Sequence, residues 1–131
     1  MNNLKSNEVT PVTRQRGMTA ISMAAVVVVV AFMGLIALKL FPIYLENFKV
    51  AAHVEEMAKD RDILLESDEQ IVDSLMKRLQ IDDVTNVTRE HVFVERESKT
   101  SGILAVEYEV RTTAVGNIDL VVSFVEEAVI R

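Results

Sequence analysis

Met18 to Leu38 reads MTAISMAAVVVVVAFMGLIAL, a run of 21 residues without a charge, closed by Lys39. At about 1.5 Å per residue, roughly 20 helical residues cross the roughly 30 Å hydrocarbon core of a bilayer, so the run has the length of a membrane span. Ten of its residues (Ile21, Val26 to Val30, Phe32, Leu35, Ile36 and Leu38) each favour insertion by about 0.3–0.6 kcal/mol at mid-bilayer, together on the order of 3–6 kcal/mol. Five consecutive valines form helix poorly in water. Lipid offers no partner to backbone N–H and C=O groups, however, so within a bilayer only a helix satisfies them.

Working outward from the span, the N-terminal side comes first. Residues 1–17 carry Lys5, Arg14 and Arg16 against Glu8, a balance of +2, which leaves −8 of the net −6 to the remainder. Residues 1–13 are polar, include Pro11 and show no period, as expected of a disordered tail. Arg14 and Arg16 before the span, against Glu46, Glu55 and Glu56 after it, predict a cytoplasmic N-terminus and an exported C-terminal part. A cleaved secretory signal would have an apolar region of about 7–15 residues ending at small residues, whereas this run is longer and passes through Phe32, Met33 and Leu35, so an uncleaved anchor is expected.

Beyond the span, about 93 residues suffice for one small domain. The expected division is a cytoplasmic tail over 1–17, a transmembrane helix over 18–41 and an extracytoplasmic domain over 43–131. Lys39 is placed to snorkel to the headgroups, with Phe41 and Tyr44 at the same interface. Pro42 removes a backbone donor, which predicts a kink or short break near Leu38 to Phe41. A helix follows from about Ile43 to Arg61, because Glu46, Lys49, His53, Glu56 and Asp60 recur at spacings of 3 and 4 as a wet stripe. Phe48, Val50, Val54 and Met57 lie on its broad apolar side, which makes them the candidate interaction face. The acidic stretch Asp60 to Glu69 is read as a solvated loop, since the calcium-loop template needs Gly and Glu where Leu65 and Ile71 stand.

Ser67 and Gln70 form the signature of a capping box, opening a second helix from Asp68 to about Gln80 with an Asp73–Lys77 pair on its outer side. After Asp82 and Asp83 the period changes from 3.6 to 2, giving strands over Thr88 to Glu97, Ile103 to Thr112 and Ile118 to Val125, joined by turns of hairpin length. In the second strand Leu104, Val106, Tyr108 and Val110 share one face. The expected fold is therefore α+β: an N-terminal transmembrane helix, then two helices packed on a three-stranded antiparallel sheet.

Two resemblances rest on these residues. Arg14-Gln15-Arg16-Gly17-Met18-Thr19 resembles the entry to a type IV pilin-like N-terminus, cut by a prepilin peptidase after the glycine, which makes Gly17 and Met18 a candidate processing site. Such pilins carry Glu at the fifth position after the cut, where this chain has Ser22, so the plain reading is a basic flank before an anchor. More broadly, residues 14–128 resemble the proteobacterial family called domain of unknown function 4845. The resemblance rests on the Arg-Gln-Arg-Gly entry, Lys39-Leu40-Phe41-Pro42-Ile43-Tyr44, Val106-Glu107-Tyr108-Glu109-Val110, and Gly116-Asn117-Ile118-Asp119-Leu120 with Phe124. It implies a single-pass bacterial inner-membrane protein with a periplasmic domain and no established activity.

Function classes narrow accordingly. An acidic domain without a Lys/Arg cluster argues against nucleic acid. The chain has no cysteine, which removes disulfides and thiolate metal sites. His53, on the polar stripe, is expected to be solvated, and His91, alternating with Phe93 on a strand, to be structural. No phosphate loop, nucleophile motif or helical His pair is present, so neither catalytic residues nor a cofactor or metal are expected. The expected function is an interaction or accessory module of the cell envelope with a protein partner; a pilin-like subunit and an envelope enzyme are the alternatives. Ala20, Ala24 and Ala31 give the span a short small-residue element, so the span alone is expected to dimerise weakly, and the apolar side of the 43–61 helix is the expected contact of a homo-oligomer.

Overall fold

The computed structural model describes Gly17 and residues 19–131. The N-terminal tail, its basic flank and Met18 lie outside the described residues. Two compact units meet between Met33 and Gly34. In the first, Thr19 caps the start of the long helix α1 (Ala20–Ala58): its Oγ1 accepts from the Ser22 backbone N–H at 3.3 Å and stands 2.8 Å from the Ser22 hydroxyl. No residue from Ala20 to Pro42 is buried.

The second unit is an α+β domain. After α1 come a 3₁₀ turn (Arg61–Leu65), helix α2 (Asp68–Ile81), a second 3₁₀ turn (Arg89–His91), and strands β1 (Val92–Arg96), β2 (Gly102–Val115) and β3 (Ile118–Ile130). The strands form an antiparallel meander in the order β1-β2-β3. Val94, Leu104 and Ala128 line up across its inner face, as do Tyr108 with Phe124 and Val110 with Val122. That face joins Val50, Val54 and Met57 of α1 and Ile71, Leu75 and Leu79 of α2 in one core. Ile71, Leu75, Leu104 and Val106 are fully enclosed, each side chain contributing about 1.5–3 kcal/mol by leaving water.

The capping box that opens α2 is formed: the Ser67 N–H donates to Gln70 Oε1 at 3.0 Å and the Gln70 N–H to Ser67 Oγ at 3.3 Å. At its other end, the Val84 N–H reaches the Leu79 carbonyl at 2.9 Å and the Asp83 N–H reaches that of Gln80 at 3.2 Å. This is the Schellman closure, with Asp83 at φ 58° in the position that glycine usually takes. Gly102 is required for a different reason: a Cβ there would stand 2.7 Å from the Glu95 carbonyl oxygen, across the β1–β2 hairpin. Arg96 then fastens β1 to the start of α2, donating to the carbonyls of Leu64 and Glu66 and to the Asp68 carboxylate.

Several expectations are corrected. α1 runs through Pro42 without interruption. Proline removes one helical hydrogen bond, and the burial of Ile43, Val50 and Val54 just beyond it holds the helix on course. The acidic stretch is not wholly solvated, because Ile63 and Leu64 on its 3₁₀ turn enter the core. Thr88 to His91 turns rather than extends, and β1 begins at Val92. β3 continues five residues past Val125, pairing Glu126 to Ile130 with Gly102 to Val106. Asp73 pairs with Arg89, not Lys77.

Candidate functional site

The domain-side half of α1 organises the surface, and its faces divide by the helical period. Val50, Val54 and Met57, three of the four residues of the expected interaction face, are core residues, with Val54 only 1% exposed. The sheet and α2 cover that side completely. Phe48 alone is open, at 70%. Gly17 is exposed and precedes the helix, whereas Met18 lies outside the described residues.

The polar stripe of α1 is only partly open to water, with Lys49, Glu56 and Asp60 exposed and Glu46 and His53 half-buried. It grips the segment that follows α2. Glu46 accepts from the backbone N–H of Thr85 and of Asn86, at 2.5 and 2.9 Å, and from the Asn86 side chain at 2.6 Å. Lys49 donates to the Asp82 carbonyl at 2.9 Å, and His53 Nε2 lies 2.6 Å from Asp82 Oδ2. His53 is thus mostly enclosed, and its Nδ1 is buried without a hydrogen-bond partner. The segment has no regular structure, so its backbone donors need partners of this kind. Charge-assisted bonds to a carboxylate are among the stronger ones available.

A second polar group lies between α1 and the sheet. Tyr108 Oη donates to Asn47 Oδ1 at 3.0 Å, and Asn47 Nδ2 donates to Glu126 Oε1 at 2.8 Å, linking α1, β2 and β3. Burial, and after it the nearby carboxylates of Glu46 and Glu126, raise the Tyr108 pKa above the usual tyrosine range. Phe124 packs between Tyr108 and Tyr44, with ring centroids 5.2 and 5.3 Å away. Within the group each side chain is hydrogen-bonded to another member.

Lys39 donates to the carbonyls of Thr113 and Ala114, at 2.5 and 3.2 Å. Ala114 is a bulge without a partner in β3, and such an irregularity frees carbonyls from the ladder. His91 closes the turn before β1, its Nδ1 accepting from the Thr88 N–H at 3.1 Å. A shallow hollow of about 440 Å³ beside it is lined by Glu107, Tyr108, Glu109 and Phe124. Among the described residues, no three carboxylate or imidazole groups gather as a metal would need.

The family model described as Domain of unknown function (DUF4845) matches residues 39–124. The chain belongs to this family. The family match opens at Lys39, where the charge-free run ends, and closes at Phe124 in the Tyr44–Phe124–Tyr108 stack. It spans Glu46, Asn47, His53, Asp82 and Tyr108, so both polar groups lie in the family's region apart from Glu126. The Arg-Gln-Arg-Gly entry lies outside it. No curated protein and no solved structure matches the chain.

The polar clamp escaped sequence reasoning because its halves are far apart, 39 residues in the case of Glu46 and Thr85. A 3–4 spacing of charges shows only that they share a face. The available signal was the unstructured 82–88 segment, whose backbone had to be satisfied by something.

Proposed function

We propose that the chain is a single-pass bacterial inner-membrane protein, N-terminus cytoplasmic, whose periplasmic domain serves as a protein-binding accessory module of the envelope rather than as an enzyme. The observation that carries this reading is α1. Its first part is a charge-free run long and apolar enough to cross a membrane, with none of the run's described residues buried, and the same helix then becomes a wall of the domain core. Arg14 and Arg16 supply the orientation through the positive charge that stays inside. The non-catalytic role draws support from the polar groups, which are spent on the fold's own backbone and side chains.

The test is a pair of fusions after Arg131. A reporter active only when exported should work there, and one active only in the cytoplasm should not; the opposite pair of results overturns the topology. The chain should also stay in the membrane pellet after alkaline carbonate washing. N-terminal sequencing of the extracted protein should find no cut after Gly17. A mature chain starting at Met18 would put the pilin-like reading first.

A further inference from the structure

The face of α1 that points away from the domain carries a second apolar stripe. Gly34, Leu38, Phe41, Leu45, Phe48 and Ala52 follow one another at alternating spacings of 4 and 3, and all are exposed. Leu38 is 73% exposed, Phe41 63% and Leu45 46%. The core residues Val50 and Val54 sit two positions from Phe48 and Ala52, about 200° round the helix, so the domain and this stripe occupy opposite sides. The alternation is that of a coiled-coil seam, 3.5 residues per turn.

Lipid cannot cover all of it. Phe48 is nine residues beyond Lys39, about 13 Å along the helix axis, whereas the headgroup layer on each side of a bilayer is roughly 5–8 Å deep. Phe48 therefore stands in water unless a protein covers it. Two copies anchored in one membrane share their orientation, so their α1 helices are parallel and each stripe residue meets its own counterpart at the same height. A two-fold axis along the seam makes the stripe self-complementary. The neighbouring positions raise no objection: Tyr44 and Ala51 on one side of the stripe and Pro42 and Lys49 on the other bring no like-charged pairs together across the axis.

We infer that the protein forms a parallel homodimer through Leu38, Phe41, Leu45, Phe48 and Ala52, with a second copy of this chain as the partner and the two domains held on the outside of the pair. The inference rests on the membrane-anchored reading, which supplies the parallel orientation. It places self-association on the face opposite Val50 and Val54, where the domain's own core already lies.

The absence of cysteine allows a direct test in the full-length chain. Single substitutions Leu45→Cys, Phe48→Cys and Ala52→Cys, with Lys99→Cys in the distant β1–β2 turn as control, are oxidised in native membranes. The expected result is a disulfide-linked dimer of this chain at the three stripe positions and none at Lys99. Phe41→Glu combined with Leu45→Cys should abolish the dimer while leaving the melting curve of the domain unchanged. Stripe cysteines that crosslink no better than Lys99, or that link to a different protein, overturn the inference. Carbonate washing separates this from failure of the anchor: a chain held in the membrane without stripe crosslinks refutes the dimer alone, and a chain washed off refutes the anchored reading.

Discussion

The two stretches of α1 on either side of Lys39 are both rich in aliphatic residues, yet they meet the rest of the chain differently. Before Lys39 no side chain is buried; after it Ile43, Val50, Val54, Met57 and Ala58 are buried and Phe41, Leu45 and Phe48 are not. Apolar character round the whole circumference suits lipid, which approaches from every side. A protein layer covers one face only, and so selects a stripe. The lesson is that apolar residues on one helix answer to different solvents, and their position round the axis says which.

The sharpest way to break this comparison is to charge each face in turn. Val54→Asp buries a carboxylate in the core and should cost about 4 kcal/mol or more, enough to unfold a small domain, seen as loss of the cooperative melt by circular dichroism in detergent. A folded Val54→Asp variant would show that the covered face is not core. Next in size is Glu46→Ala, which strips three donors of their acceptor; a loss of about 1–3 kcal/mol is expected in a denaturant titration. No loss would mean that water replaces the clamp, and that the polar stripe is a solvated face after all.

Tyr108 gives a smaller effect with a defined sign. Its folded pKa lies above the unfolded value of 10.0, so the unfolded state releases the proton first as the solution becomes alkaline. Its contribution is complete below pH 10 and is lost as the pH climbs from there towards the folded value, at about 1.4 kcal/mol per pH unit for one proton. Tyr108→Phe should remove that increment from the alkaline slope of stability. An unchanged slope between pH 10 and 11 would place the hydroxyl in water. The smallest effect belongs to the open face. Phe48→Ser should shift the stability of the detergent-dispersed monomer by no more than about 0.5 kcal/mol, and a larger loss would mean that Phe48 is part of the domain.

Some of this was legible without coordinates because it is local. The capping box at Ser67 and Gln70 needs only residues three apart, and the alternation Leu104, Val106, Tyr108, Val110 is a property of one strand. The sequence pattern ends β3 at Val125, before the charged pair Glu126 and Glu127, whereas Glu126 takes an inner position and accepts a hydrogen bond from Asn47, 79 residues away. Pro42 predicts a kink or short break because proline's cost is local, while the packing that outweighs it is not.

The sequence by itself determined where a membrane-length helix lies, the α+β order of elements, the sheet's inner face and the family, since each is written in composition, period or motif. Only the tertiary structure decided which side of α1 is core. Phe48 and Val50 are both apolar and two residues apart, and the 3.6-residue period sorts them to different faces without saying which face the sheet takes. That choice is made where Val50 and Val54 meet Ile71, Leu75 and Leu104 and where Glu46 meets Thr85 and Asn86. These contacts join segments tens of residues apart, and no local pattern in the chain encodes them.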